Sequence, residues 1–379
     1  MSKSIFPLAL SLAAFPLLGY AADSPYFSFK DGDHFKRFSI SAGWLHAAPQ
    51  GSANNFNTST LVNNGDYKVG DVQLNSVTNA IAPTAAGNAA KAKLLGVTSI
   101  GQTLGLINNG VLTADMSGKV NINSLENWNS PNTGLEAESV DTLGIMANYF
   151  FTDHWSLELK AGIPPKVDIL GKGQIYAPLS GTATPKGEIS TPIIGSIANT
   201  LIDGIGDIPL DTQIPVTNLA QGSRAASVRA WLPAAEIHYQ FGKSGVNKFR
   251  PYVGAGVLYA YFDDVKLNSG IEADLVNAGH KIQNILNNQA GAALDGKLSS
   301  ADPRVKVKTT NSIAPIVTIG ATYDFNPNWF AVGSVSYSKM NNEAQITVTD
   351  NNTGNVLVRS KTKIDIDPII SYIGIGYRF

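Results

Sequence analysis

Eight segments of this chain alternate apolar and polar residues with a period of two, which is typical of strands that turn one face to a hydrophobic surrounding. In W-S-L-E-L-K-A-G-I, the apolar side chains from Trp155 to Ile163 share one face, while Glu158 and Lys160 lie opposite. Each segment has about the 9–11 residues that a tilted strand needs to cross a bilayer. The segments begin near Arg37, Leu143, Trp155, Trp231, Phe249, Ile313, Trp329 and Ile369.

The links between these segments alternate in length. Links one, three and five are long, at about residues 49–138, 170–223 and 264–311, whereas links two, four and six are short, as in F-T-D-H-W and F-N-P-N-W. The seventh link is read as the turn D-N-N-T-G-N. Aromatic residues cluster beside the short links. This asymmetry predicts an all-β fold, an eight-stranded antiparallel transmembrane β-barrel with long extracellular loops. A secreted β-sandwich, the alternative, would hide its apolar faces and would not segregate its loops to one end.

The N-terminus resembles a secretory signal peptide. Lys3 precedes an apolar run from Ile5 to Leu18, and Gly19 and Ala21 are small residues where a signal peptidase cleaves. We therefore expect a signal peptide over residues 1–21 and one barrel domain over residues 22–379, in the outer membrane of a Gram-negative bacterium. The chain has no cysteine, and 28 Lys and Arg against 29 Asp and Glu give no basic excess for nucleic acid.

Several motifs of this chain resemble the OmpW/AlkL family of outer-membrane proteins. The resemblance rests on V-R-A-W-L-P-A-A-E-I-H-Y-Q-F-G, on K-F-R-P-Y-V-G-A-G-V-L-Y, on L-G-I-M-A-N-Y-F-F-T-D-H-W-S-L-E-L and on I-G-I-G-Y-R-F. It implies an eight-stranded barrel with an apolar internal channel that is linked to uptake of small hydrophobic compounds. The three long links exceed what the family leads us to expect, so their function is not carried over from it.

The phase opposite to the lipid face gives the residues expected inside the barrel. Near the short links they are charged, and we expect them to pair in a polar floor that blocks straight passage, or that only stabilises the barrel. Higher up they are apolar, which favours a hydrophobic ligand over a polar one, although they could simply pack the interior. The expected polar floor comprises Arg37, Glu158, Lys160, Glu236, His238, Arg250, Asp324 and Arg378, and the expected hydrophobic lumen comprises Leu45, Met146, Leu232, Ala234, Leu258, Phe262, Ile316 and Ile370.

Three prolines indicate a weak place in the barrel wall. Pro164 and Pro165 on the third strand and Pro233 on the fourth fall at similar height on adjoining strands. Because proline has no N–H to donate, we predict a local loss of ladder hydrogen bonds there and a lateral gate toward the outer leaflet. The alternative is a bulge without function where the barrel rises above the membrane.

The long links carry apolar residues at helical spacing, starting at Leu94, Ile193 and Ile271. Each is predicted to contribute a short helix to an external cap, which could guide a ligand or only pack on itself. The terminal residues Tyr372, Gly374, Tyr377 and Phe379 are expected to close the barrel and to serve as an assembly signal, read by the outer-membrane assembly machinery.

The sequence leaves three functional classes to weigh. We expect a monomeric channel for passive uptake of small hydrophobic molecules, whose partners are outer-membrane lipid, the ligand and the assembly machinery. A structural or adhesive barrel that binds a partner through its loops is the alternative. An enzyme, a metal site or a cofactor is not expected, because no Ser-His-acid or metal-binding spacing surrounds the five histidines, His34, His46, His154, His238 and His280.

Overall fold

The computed structural model describes residues 36–379. The expected signal peptide and His34 lie outside this range. No helix among the described residues is long and apolar enough to cross a bilayer. The strands are β1 Phe38–Ala48, β2 Phe56–Thr60, β3 Gly65–Lys68, β4 Val72–Gln73, β5 Val111–Leu112, β6 Lys119–Asn123, β7 Asn127–Ser130, β8 Gly134–Ala137, β9 Val140–Phe150, β10 Trp155–Gly162, β11 Lys166–Lys172, β12 Gln174–Thr184, β13 Ile208–Asn218, β14 Ala226–Trp231, β15 Ala234–Gln240, β16 Phe249–Leu267, β17 Pro303–Thr309, β18 Ser312–Asp324, β19 Trp329–Ser338, β20 Asn341–Asp350, β21 Val356–Asp365 and β22 Ile369–Arg378. The helices are α1 Leu74–Ala80, α2 Ala85–Thr103, α3 Ala114–Ser117, α4 Ile194–Asp203, α5 Ser269–Leu286 and α6 Ala290–Leu294.

Eight strands form a closed antiparallel barrel in the order β1, β9, β10, β15, β16, β18, β19 and β22. The ring closes because β1 pairs on both sides: Ala42 lies opposite Ile145 of β9 and opposite Ile375 of β22. The final strand therefore has no free edge, which would otherwise leave backbone groups unsatisfied in lipid. The predicted eight-stranded antiparallel barrel is confirmed.

The outward face of the barrel is an apolar band. Large side chains such as Ile319 and Ile373 are 65% and 63% exposed, as lipid contact requires. At the end with the short turns, which we call the turn end, aromatic side chains meet edge to face, including Trp329 with Tyr377 and Trp155 with Tyr239. These rings form the aromatic girdle that the sequence predicted at one level of the barrel.

The long links fold into a cap at the opposite end. The barrel wall continues into it through β14, β11 and β8, beside a four-stranded sheet (β13, β12, β6, β3) and a five-stranded sheet (β17, β20, β21, β2, β7). One apolar core runs from the upper barrel into the cap, from Ile316 to Leu357 and Ile271. The cap is thus a packed structure rather than a set of separate loops.

The seventh link differs from the short turn that the sequence indicated. The turn at residues 351–355 is only the tip of a hairpin, β20 and β21, that rises from the barrel into the cap. Ala344, Ile346 and Val348 of β20 are buried because they face the apolar core that the cap shares with the upper barrel. The sequence prediction was therefore wrong about the length of this link, although the eight barrel strands are unaffected.

Helices occur in all three long links, as predicted. Helix α5 covers the expected stripe from Ile271 to Leu286, and Asn268 caps its first turn by accepting from the amides of Gly270 and Ile271. Helix α4 ends at Asp203, before Gly206 takes a positive φ, so Ile208 belongs to β13 instead. Helix α2 likewise ends before Gly105, where φ is again positive.

Candidate functional site

Three charged side chains and a histidine meet in the middle of the barrel interior. Lys160 Nζ lies 2.6 Å from Glu236 Oε1 and 3.5 Å from Glu158 Oε1, and His238 Nε2 lies 3.3 Å from Glu236 Oε2. All four residues are at least 93% buried. Adjacent β10 and β15 bring them together, because Glu158 pairs directly with Glu236. We call this cluster the polar plug.

The opposite side of the lumen completes the polar plug with neutral partners. Lys160 Nζ also donates to Thr318 Oγ1 at 2.9 Å and to Ser336 Oγ at 3.1 Å. The ammonium group is therefore bonded across the lumen to β18 and β19, which fixes its position. A buried cation needs such complete satisfaction, because an unpaired charge in this setting is costly.

Below the polar plug, a second charged layer closes the turn end. Arg378 pairs with Asp324 at 2.7 Å, and Arg250 pairs with Asp153 of the short turn at 3.2 Å. Arg37 lies at the rim instead, where its guanidinium donates to the carbonyl of Phe151. The expected floor residues thus form two layers and a rim contact. Asp153 belongs to this layer although it lies outside the strand pattern from which the floor was predicted.

Aromatic side chains fill the remaining width of the barrel at these levels. Tyr252, Phe330 and Tyr372 pack with Met146 in one buried cluster, and the Tyr252 ring stacks on His238 at 4.8 Å between centroids. We call these four residues the aromatic layer. Met146, predicted for the hydrophobic lumen above, lies lower than expected because it is opposite Lys160 in the pairing of β9 with β10.

Glycines on neighbouring strands make room for these rings. A Cβ at Gly320 would lie 2.5 Å from Tyr252 Cζ, and one at Gly374 or Gly376 would meet the ring of Tyr372 or Phe330. Only about 20 Å³ of space is left among the charged and aromatic side chains, room for about one or two water molecules. The lower half of the barrel is therefore closed to solutes along its axis.

The upper barrel encloses an apolar cavity of about 80 Å³, which we call the upper chamber. Leu232 and Phe262 line it, together with Val140, Val167 and Ala230. Below it, the other residues expected in the hydrophobic lumen, Leu258, Ile316 and Ile370, are packed in the core, as is Ala234. Leu45 packs between this core and the aromatic layer.

Strands β10 and β15 separate where the three prolines lie. Pairing ends at Lys160 with Ala234 and resumes at Lys166 with Arg229, on β11 and β14. Five residues on one side, 161–165, face four on the other, 230–233, and the Ala230 amide donates to the Pro165 carbonyl across the gap. We call this interruption the proline break. It adjoins the upper chamber, since Leu232 precedes Pro233 and Val167 follows Pro165.

The remaining predicted residues are divided between the wall and the lumen. Tyr377 and Phe379 meet edge to face at the outer surface of the turn end. Tyr372 points inward, where its hydroxyl meets Ser41 Oγ at 3.1 Å, and it belongs to the aromatic layer. Outside the plug, His46 bonds Asp141 and His280 bonds Ser299. Residues 36–379 contain no cluster of side chains suited to a metal ion.

Comparison with known proteins gives a consistent set of similarities. A model of the OmpW family matches residues 106–302 and 295–379. The outer membrane protein W of Vibrio cholerae is 25% identical over 245 residues, which cover 65% of this chain and 76% of that protein. Among solved structures, OprG of Pseudomonas aeruginosa is 15% identical with a TM-score of 0.44, covering 90% of this chain and 95% of its own. AlkL in lipid bilayers is 16% identical with a TM-score of 0.34, covering 87% and 94%.

Proposed function

The chain belongs to the OmpW family of outer-membrane proteins, and from this premise we propose that it is a channel for passive uptake of small hydrophobic molecules. The ligand enters the upper chamber from outside and leaves sideways through the proline break into the outer leaflet. Outer-membrane barrels have their long loops outside the cell and their short turns in the periplasm. In this orientation the cap faces the exterior and the turn end faces the periplasm.

The contents of the lumen support a sideways exit. A porin for polar solutes has a polar, water-filled interior, whereas here the upper chamber is lined almost wholly by aliphatic and aromatic side chains. The polar plug and the aromatic layer block the axis below it. A hydrophobic molecule would also gain nothing by entering the aqueous periplasm, since apolar surface is favourably transferred to lipid.

The proline break next to the upper chamber is the observation that carries the proposal. Each proline removes one backbone donor from the wall, so the strands there are joined by fewer bonds than elsewhere in the barrel. Ile163 and Trp231 lie within the break and are 58% and 41% exposed on the outside, so an emerging ligand would meet apolar side chains and lipid.

A wall-restoring variant tests this route. Pro164, Pro165 and Pro233 are changed to Val, and uptake of a radiolabelled alkane or terpenoid is measured in cells that lack the native protein. We expect uptake to fall toward the level of cells without the protein. The matched control is Pro315→Val, which changes a proline at the cap end of β18, away from the break. Undiminished uptake by a folded triple variant, verified by heat-dependent gel mobility, would refute lateral exit.

The size of the cap keeps an adhesive or receptor role as the second candidate. Three long links and a hairpin form three sheets and several helices there. Replacing the three long links by short turns separates the two roles. Adhesion to a partner should vanish, whereas uptake through the barrel should only weaken.

We further propose that the signal peptide directs export and that Tyr372, Gly374, Tyr377 and Phe379 form the signal read by the assembly machinery. Of these, Tyr377 and Phe379 lie on the outer surface at the turn end, where Phe379 is exposed and Tyr377 partly exposed. We expect the protein to act as a monomer, because the barrel is already closed within one chain.

A further inference from the structure

Two adjoining apolar cavities lie inside the cap, apart from the upper chamber. The first, about 60 Å³, lies between α2 and α4, and we call it the helix chamber. The second, about 100 Å³, lies between α5 and the four-stranded sheet, and we call it the sheet chamber. Val69, Val72, Val77 and Ala183 line both. These shared walls make the two cavities neighbours, an arrangement that a flexible apolar chain could occupy from one to the other.

The sheet chamber contains one charged side chain, Lys281 of α5. Within the described part of the chain, its ammonium group forms no hydrogen bond or ion pair. The carboxylate of Asp274, two turns earlier, accepts hydrogen bonds from Thr217 and Gln221 instead. Partial burial lowers the pKa of Lys281, and attraction to Asp274 opposes this only in part. A half-buried ammonium group without a protein partner, on a side chain that lines an apolar cavity, is available to an anionic ligand.

A second unsatisfied donor lines the same chamber. The indole Nε1 of Trp128 is buried and has no hydrogen-bond partner among residues 36–379. Buried indole N–H groups usually find an acceptor. Two side chains that line the sheet chamber thus carry donors without a protein partner, one of them cationic, and no carboxylate is among the lining side chains.

We propose that the cap binds a long-chain carboxylate, with its head at Lys281 and Trp128 in the sheet chamber and its tail in the helix chamber. A carboxylate satisfies both donors, and its hydrocarbon chain covers the apolar walls. The cap then acts as a receiving site above the barrel. Only the onward passage of the ligand rests on the proposed channel function; binding itself does not depend on it.

The test uses the full chain in lipid nanodiscs, since detergent tails would compete for the cavities. Binding of a sixteen-carbon fatty acid with a photoreactive tail is measured beside that of its methyl ester, and the crosslinks are mapped by mass spectrometry. We expect the acid to bind more tightly than the ester and its tail to crosslink to α2 or α4. Crosslinks confined to the barrel wall would overturn the proposal.

Substitution of Lys281 separates charge from packing. Lys281→Met replaces the charged side chain by an apolar one of similar length. It should weaken binding of the acid roughly 10- to 100-fold and leave the affinity for the ester unchanged. Lys281→Arg should retain binding and guards against a folding defect. Lys93→Met, at an exposed site on α2, is the matched control and should have no effect. Equal acid affinity in Lys281→Met and the unaltered protein would also overturn the proposal.

The boundary between the chambers gives an independent test of the tail position. Ala183 borders both cavities, so Ala183→Phe should block the space between them. We expect the sixteen-carbon acid to lose affinity and an eight-carbon acid to keep it; equal loss for both would contradict the placement. If binding follows these expectations while alkane uptake is absent, the channel function fails and the cap site stands. The reverse result removes only the cap site.

Discussion

The same pair of charges occurs at the same distance in two very different parts of this molecule. Lys160 and Glu236 lie 2.6 Å apart in the polar plug, with side chains 8% and 0% exposed. Lys119 and Asp66 also lie 2.6 Å apart, in the cap, with side chains 59% and 47% exposed. In the plug the pair is sealed from water and bonded to three strands; in the cap it is solvated. The distance alone therefore says little about what an ion pair contributes.

This contrast extends to the two ends of the barrel. The lower half is filled by polar groups and rings that fit against glycines, and it leaves space for little more than a water molecule. The upper half and the cap contain apolar cavities with few polar groups. One half is filled and the other contains apolar space, which supports the proposed route that turns sideways between them.

The largest expected effect comes from breaking the polar plug. Lys160→Met leaves Glu158 and Glu236 facing each other without a cation, and we expect the free energy of unfolding to fall by about 3–5 kcal/mol. Urea titration of the protein in lipid vesicles measures this. The triple variant Lys160→Met, Glu158→Gln and Glu236→Gln removes all three charges and should be less destabilised than Lys160→Met. If Lys160→Met alone were neutral, the plug would not be the dry ion cluster described above.

A smaller effect is expected where rings lie over glycines. Gly320→Ala places a methyl group against the Tyr252 ring and should cost about 1–3 kcal/mol through overpacking. Gly333→Ala, on the adjacent strand β19, is the matched control, since its Cβ would have its nearest neighbour at 3.9 Å. The difference between the two unfolding free energies measures how tightly the aromatic layer is packed. Equal values would mean that Tyr252 moves aside freely.

Much of the barrel could be predicted from the sequence because its signal is local. A period of two indicates which side chains face lipid and which face the lumen, and Glu158, Lys160, Glu236 and His238, which have the inward phase, are buried. Asp153 was not predicted for the polar floor because it lies in a turn, where no alternation assigns a side chain to one face. Tyr252 and Phe330 have the inward phase, yet their role depends on glycines of other strands that touch them only in the fold.

The sheets of the cap could not be predicted for a related reason. Strand β2 pairs with β21, about 300 residues later. A short, mostly polar strand such as β2 has no sequence pattern that indicates its partner strand. Helical spacing is local, so α2, α4 and α5 were found. The donors Lys281 and Trp128 come from different links, and nothing in the sequence indicates that they share a cavity.

The smallest expected effect is that of breaking the exposed pair in the cap. The ammonium group of Lys119 holds the pKa of Asp66 below its ordinary value of 3.8, and Lys119→Met should return it toward that value. A carboxyl group whose pKa is lower in the folded than in the unfolded state stabilises the fold at pH values above its unfolded-state pKa. That stabilisation is lost as the pH falls through its folded-state pKa. Because both groups are solvated, water and salt screen this contribution. We therefore expect Lys119→Met and the unaltered protein to have the same free energy of unfolding at pH 7, and again at pH 3, within measurement error. NMR titration of the Asp66 carboxyl, beside urea unfolding at both pH values, checks the two statements. A loss of stability comparable with that of Lys160→Met would show that burial does not separate the two pairs.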